Sequence, residues 1–376
     1  MSVGRADCAA LLISLLLAFP DTGAAVSLDM REGATDMSKR ILALHHMSLT
    51  VCVVVGIVVF GAMFYSMWAH RRSRRPEPAH FHENTRLEFI WTLVPALILV
   101  GMAIPATATL IELEDNSDPD LTVLVTGSQW KWHYQYVEAG FGYYSRSATP
   151  RQQIENAAAK GEHYLLEVDR PLVLPTDKKV RILTTSQDVI HSWWVPDFAV
   201  KQDAVPGFIN EAWTRVAKPG VYRGQCAELC GKDHAFMAIV VEVRPAAEFD
   251  RWLARERQRL AAASQEAVAA RNKQWTIEEL IPQGQQVFIE HCATCHERDG
   301  KGQQGRYPAL SGSRIVNGRI EDHLNRVMNG KAGTEMQAWA PQLSDVELAA
   351  VLTYERNSWS NHTGDVIQPK VVYEAR

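Results

Sequence analysis

Two apolar runs, residues 49–68 and 89–113, constrain this chain more than any other feature. Each is close to the roughly 20 residues that a helix needs to cross the hydrocarbon layer of a bilayer. A buried core helix is the alternative for a single run, but two so close together argue for a membrane hairpin. In lipid, a helix satisfies all its backbone polar groups within its own segment. The loop between the runs carries Arg71, Arg72, Arg74, Arg75 and Arg86, whereas Glu114, Asp115, Asp118 and Asp120 follow the second. By the positive-inside rule the loop is cytoplasmic, so the chain start and everything beyond residue 114 lie outside. Pro95 and Pro105 are tolerated in the second run because neighbouring helices satisfy the carbonyls they free.

Residues 1–25 read as a cleaved secretory signal: Arg5, an apolar stretch, then Gly23, Ala24 and Ala25. That apolar stretch is too short to span comfortably. At 376 residues the chain has room for two or three domains. A net charge of -4 gives no sign of nucleic-acid binding. Of the six cysteines, Cys8 and Cys52 stand alone in apolar segments, while Cys226 and Cys230, then Cys292 and Cys295, form two metal-type pairs.

After the hairpin, taken as residues 40–114, residues 115–245 form one unit. Segments 121–125, 163–168, 180–184 and 238–243 are β-branched or alternating and are punctuated by Pro and Gly, which predicts a sandwich or barrel of short strands. The polar, Ala-rich stretch 145–160 reads as a surface excursion without chemistry. Near the end of this unit comes GQCAELCGKDHAFM, residues 224–237. It brings Cys226, Cys230, His234 and Met237 into one loop, and His191 in DVIHSWWVPDF joins them from a strand end. Thiolate, imidazole and a weak axial thioether together point to electron-transfer copper. A disulfide would leave His191, His234 and Met237 without a shared purpose. Structural zinc takes two cysteines and two histidines but has little use for the methionine.

Residues 246–274 shift to Ala, Arg, Glu and Gln, a helical linker with no core of its own. A further domain, 275–361, contains HCATCHERDGKG. Cys292, Cys295 and His296 match attachment of a c-type haem, the thiols adding to its vinyl groups and the histidine meeting the iron; a redox dithiol is the lesser alternative. A methionine is expected as sixth ligand, with Met336 and Met328 competing. The Pro308 carbonyl is placed to orient the other nitrogen of His296. Ser344 and Glu347 form a capping box that opens a last helix, whose Leu348, Val351 and Leu352 pack on a helix over 284–290. Residues 362–376 read as a tail.

Residues 191–237, with HSWWVPDFAVKQDAVPG followed by GVYRGQCAELCGKDHAFM, closely resemble subunit II of cytochrome c oxidase. The resemblance implies a cupredoxin-like β-barrel in which the sulfurs of Cys226 and Cys230 bridge two coppers. It further implies that His191 and His234 cap one copper each, Met237 is a weak ligand to one, and the Glu228 carbonyl is a weak ligand to the other. The Glu228 side chain then reaches a Mg²⁺ or Mn²⁺ at the boundary with subunit I. Trp130, in GSQWKWHYQY, is implied as the surface aromatic that takes the electron from cytochrome c. Glu88, in the matched Glu-x-Ile-Trp-Thr pattern, is implied near the start of a proton path into subunit I. Two departures, Ser128 where many relatives have histidine and Lys131 in place of an aromatic, imply a different docking surface.

The last domain resembles small class I cytochromes c, which favours Met336 because it lies just before the last helix. The expected fold is therefore multi-domain: a two-helix transmembrane hairpin, a cupredoxin-like barrel and an all-α class I cytochrome c domain. The fused arrangement resembles bacterial oxidases whose subunit II carries its own cytochrome c. It implies electron transfer from cytochrome c through haem c and dinuclear copper to subunit I, with subunit III as a further partner, O₂ reduced to water and protons pumped. A short tether would raise the donor's effective concentration into the millimolar range. Two other readings compete: the small subunit of a copper-containing nitric oxide reductase, and a free-standing membrane-anchored electron carrier.

Overall fold

The structure, a computed structural model, describes residues 29–74, 77 and 82–376. The expected signal segment 1–25, with Cys8, and the loop residue Arg75 lie outside the described residues.

Helices α1 (Asp36–Ala69) and α2 (Thr85–Leu113) contain the two apolar runs. Both begin before the apolar residues do, because each has a polar cap. Thr35 and Ser38 form a capping box on α1, and the Asn84 side chain accepts the Leu87 N–H on α2. Ile57, Phe60, Leu99 and Ile104 are exposed on the helices, as side chains facing lipid or a partner must be. The start of α1 is pinned to the domain that follows by Ala34 N–H to the Asp197 carbonyl at 2.6 Å and Thr35 Oγ1 to the Phe198 carbonyl at 3.2 Å. Glu88, in the first turn of α2, accepts the Asn84 N–H at 3.3 Å.

Ten strands follow: β1 (Leu121–Ser128), β2 (Lys131–Tyr136), β3 (Phe141–Ser145), β4 (Leu172–Pro175), β5 (Val180–Ser186), β6 (His191–Val195), β7 (Val200–Ala204), β8 (Asn210–Thr214), β9 (Gly220–Cys226) and β10 (Ala238–Arg244). They make two five-stranded sheets, β3-β2-β1-β5-β8 and β4-β10-β9-β6-β7. The period-two pattern fills the space between them: Val123, Val125, Trp132, Tyr134, Ile182, Ile239 and Val241 are fully buried. Segment 163–168 forms no strand. Leu165 takes a left-handed φ of 63°, which breaks an extended run, and the segment touches its neighbour through the single bridge Ser147 to Val168. The excursion before it includes a short helix, α3 (Arg151–Ile154).

Helix α4 (Ala246–Asn272) is the linker, and it is anchored at both ends. Phe249 and Trp252, one turn apart, enter the core of the strand domain, where the Trp252 ring lies 5.3 Å from Tyr136. At the far end Arg271 pairs with Asp345 at 3.0 Å and stacks 3.4 Å from the Tyr373 ring.

The last domain holds α5 (Ile277–His291), α6 (Ala293–His296), α7 (Ile320–Asn329), α8 (Asp345–Arg356) and α9 (Pro369–Glu374). The Ser344 to Glu347 capping box is formed, and Leu348, Val351 and Leu352 are buried. Helices α5 and α8 cross so closely at Gly284 that a Cβ there would lie 2.1 Å from the Ala350 carbonyl oxygen. The expected tail is instead folded. Ile367 and Val372 are buried and the Ile367 N–H bonds Thr353 Oγ1 at 3.0 Å, because two apolar residues suffice to dock a short last helix.

Candidate metal centre and the cavity beside it

Strands β6 and β9 pair with Trp193 opposite Cys226, which brings the start of one and the end of the other to one edge. His191 Nδ1 lies 4.0 Å from Cys226 Sγ, Cys226 Sγ 3.8 Å from Cys230 Sγ, and Cys230 Sγ 3.5 Å from His234 Nδ1. His191, Cys226, Cys230 and Met237 are all at most 3% exposed, and His234 is half-buried. The Glu228 carbonyl oxygen lies 3.3 Å from Cys226 Sγ, while its residue is exposed at the surface. Gly127 makes room for the imidazole: a Cβ there would sit 2.8 Å from His191 Cδ2.

The two sulfurs are far beyond the ~2.05 Å of a disulfide, and both thiols are free. Their protonation is interdependent. The hydrogen bond from Cys230 pulls the Cys226 thiol down, and the same contact pushes Cys230 up. A second thiolate beside the first is disfavoured by like charge, and a bound cation would relieve that repulsion. Two thiols and an imidazole in one loop with a buried methionine, joined by the His191 imidazole from the start of β6, fit copper by donor chemistry.

Sequence reasoning missed Asp188, three residues before His191. Its carboxylate accepts His191 Nε2–H at 2.9 Å and the Gln129 N–H at 2.7 Å. Burial works against its ionisation, yet the bonds from His191, Gln129 and Val189 hold it below the usual carboxylate range. It fixes the tautomer that leaves Nδ1 facing the sulfurs. The spacing D-x-x-H was the available signal.

Trp130 is half-buried and its indole Nε1–H donates to the Cys230 carbonyl at 3.2 Å; Gln129 Nε2–H donates to the same oxygen at 2.9 Å. Trp130 also lines a cavity of about 1330 Å³ that Cys292, Cys295, His296 and Met336 of the last domain line as well. Cys292 and Cys295 are free thiols, and His296 Nδ1–H donates to the Pro308 carbonyl at 2.9 Å, as expected, leaving Nε2 for an axial role. Met328 is 3% exposed in the domain core and is not on the cavity wall. The excursion expected to lack chemistry supplies Arg146, Ser147 and Thr149 to that wall. Ser147 Oγ, Thr149 Oγ1 and, across the cavity, His323 Nδ1 are buried without a hydrogen-bond partner among the described residues. A large slot with free thiols, an oriented imidazole, a thioether and orphaned polar atoms fits a c-type haem.

The chain matches three described families: cytochrome c oxidase subunit II, periplasmic domain, over residues 121–244; cytochrome c oxidase subunit II, transmembrane domain, over 23–108; and cytochrome c oxidase, cbb3-type, subunit III, over 279–354. It is 37% identical over 239 residues to a probable cytochrome c oxidase subunit 2 of Rickettsia bellii, covering 64% of this chain and 87% of that protein. With cytochrome c oxidase subunit 2 of Cyanidium caldarium it shares 34% identity over 228 residues, 59% of this chain and 88% of that one. Among solved structures, the periplasmic domain of subunit II of cytochrome oxidase of Bradyrhizobium japonicum is 41% identical, covers 38% of this chain and 96% of its own, and has a TM-score of 0.34. The first of these families implies a copper centre and the cytochrome c domain a haem; two membrane helices with a periplasmic domain place the protein in the inner membrane with its redox domains outside. With the buried Cys226, Cys230 and His191 at one strand edge and these relatives along most of its length, the chain belongs to the cytochrome c oxidase subunit II family.

Proposed function

We propose that this subunit II carries electrons from its own haem c to a dinuclear copper centre and on to subunit I of a haem-copper oxidase, with soluble cytochrome c as outside donor and subunit III as a further partner. Copper and haem, when bound, supply the one-electron carriers. Cys226, Cys230, His191 and His234, with Met237 and the Glu228 carbonyl as weaker donors, would hold the copper. Cys292 and Cys295 would hold the porphyrin, and His296 and Met336 would bind its iron.

The observation that carries this reading is the double position of Trp130. It lines the same cavity as Cys292 and Cys295, and its N–H is bonded to the carbonyl of Cys230. One indole thus spans the gap between the two sites. Asp188 supports the same bridge, because it holds both the His191 ring and the Gln129 backbone beside Trp130.

Two further roles belong to the same reading. The exposed Glu228 side chain lies on the surface next to Leu229, which is 81% exposed, and there it would take a Mg²⁺ at the boundary with subunit I. Glu88, in the first turn of α2, stands at the cytoplasmic end of the hairpin where it would start a proton path.

The test is to purify the assembled complex and compare O₂ with NO consumption. Rapid O₂ consumption driven by reduced cytochrome c supports the reading. NO turnover in its place, or purification without any large haem-bearing subunit, contradicts it.

A further inference from the structure

We propose that the C-terminal domain is a fixed cap seated over Trp130, not a donor that swings on a tether. The inference rests on the functional reading above and adds how the two domains are held.

Four contacts cross the boundary between the domains close to the cavity. Gln337 Nε2–H donates to the Gln129 carbonyl at 3.0 Å, so the residue beside Met336 grips the residue beside Trp130. Lys232, in the copper loop, donates to the carbonyl of Thr294 at 3.0 Å, between the two haem-attaching cysteines. Tyr144 OH reaches the Pro341 carbonyl at 3.5 Å. Lys131 is 4% exposed and its Nζ lies 4.7 Å from the centre of the Trp339 ring, across the boundary.

The linker removes the freedom that a swinging donor needs. Phe249 and Trp252 are part of the strand-domain core, and Arg170 pairs with Glu256 at 3.1 Å. The other end is clamped by Arg271 on Asp345 and Tyr373. A rod held at both ends sets a geometry, whereas a flexible tether sets only a concentration. Lys131 and the excursion residues Arg146, Ser147 and Thr149 are not among the candidate copper ligands. All four face the cavity, and together they form the collar of the cap.

The step concerned moves one electron from reduced haem iron to oxidised copper, with no bond made or broken. In a fixed cap its rate is independent of solvent viscosity. A protein donor from solution finds Trp130 covered and must reduce the haem first.

The experiment uses the full-length chain in the assembled oxidase, with the electron injected into the haem by a photoexcited ruthenium polypyridyl complex. Haem oxidation and copper reduction are followed as glycerol raises the viscosity about tenfold, the range that would slow a diffusional search in proportion. The expected result is an unchanged rate. In Tyr144→Ala with Gln337→Ala the rate falls and becomes viscosity-dependent, while the haem absorption spectrum and the copper EPR signal stay as in the parent. A parent rate that falls with viscosity overturns the cap, as does copper reduction ahead of haem reduction on mixing with reduced soluble cytochrome c. No haem-to-copper transfer under any condition sinks the functional reading itself, which viscosity-limited transfer leaves standing.

Discussion

The indole of Trp130 and the backbone carbonyl of Cys230 are joined by a hydrogen bond of 3.2 Å. It ties an aromatic residue on the cavity wall to the loop that carries both sulfurs of the candidate copper site. Trp130→Ala should therefore leave the copper EPR signal intact while slowing haem-to-copper transfer about tenfold or more, equivalent to about 1.4 kcal/mol of barrier. Flash photolysis on the assembled oxidase reads this directly. A parent-like rate would remove Trp130 from the path.

Gly231 follows Cys230 with φ of 117°, and a Cβ there would lie 3.0 Å from Gln129 Nε2 and 3.2 Å from Trp130 Cζ2. Gly231→Ala should cost about 1 to 3 kcal/mol, the range for a side chain forced into a backbone region it rarely adopts. Because the crowding falls on Trp130 and Gln129, electron transfer should slow as well. Thermal unfolding and the transfer rate together check both effects.

Asp188→Asn removes the charge that orients His191 and weakens the grip on the Gln129 N–H. Loss of such a supporting carboxylate lowers metal affinity by about 10 to 100-fold. Competition for copper with a chelator of known affinity measures the change, and an unchanged affinity would assign Asp188 to packing alone.

Met336→Leu should convert a low-spin haem to high-spin, whereas Met328→Leu should leave it low-spin, because Met336 lines the cavity and Met328 lies in the core. Optical and EPR spectra distinguish the two. The reverse pattern would exchange the ligand assignment.

Burial, with repulsion from Arg146, lowers the Lys131 amine from 10.5 to about 7. Between those values the unfolded chain binds a proton that the folded chain lacks, so unfolding takes up a proton, which becomes harder as pH rises, and the folded state gains stability across this window. Below pH about 7 the cost of burying the charge is fully present and constant. The thermal midpoint should rise between pH 7 and 10 more in the parent than in Lys131→Met; equal pH profiles would contradict the assignment.

Local chemistry made most of the fold and both candidate sites legible. Apolar length marked α1 and α2, alternation marked β1, β5 and β10, and ligand spacing marked Cys226, Cys230, Cys292, Cys295 and His296. Sites built from one short loop are visible this way because the residues that cooperate are neighbours in sequence. What the pattern did not show depends on contacts between distant segments. The bond from Gln129 to Asp188, the docking of α9 through Val372, and the placing of Arg146 on the cavity wall join residues with no periodic or motif relationship. Segment 163–168 shows the opposite failure, since its composition suits a strand but the left-handed Leu165 interrupts it.

The most direct measurement is metal and haem content, with EPR, on the purified, fully loaded oxidase. The account predicts two coppers in this subunit sharing one unpaired electron, beside one covalently bound low-spin haem, with Cys226→Ser abolishing only the copper signal. Zinc in the Cys226 and Cys230 loop, or a single copper with a localised electron, would contradict it.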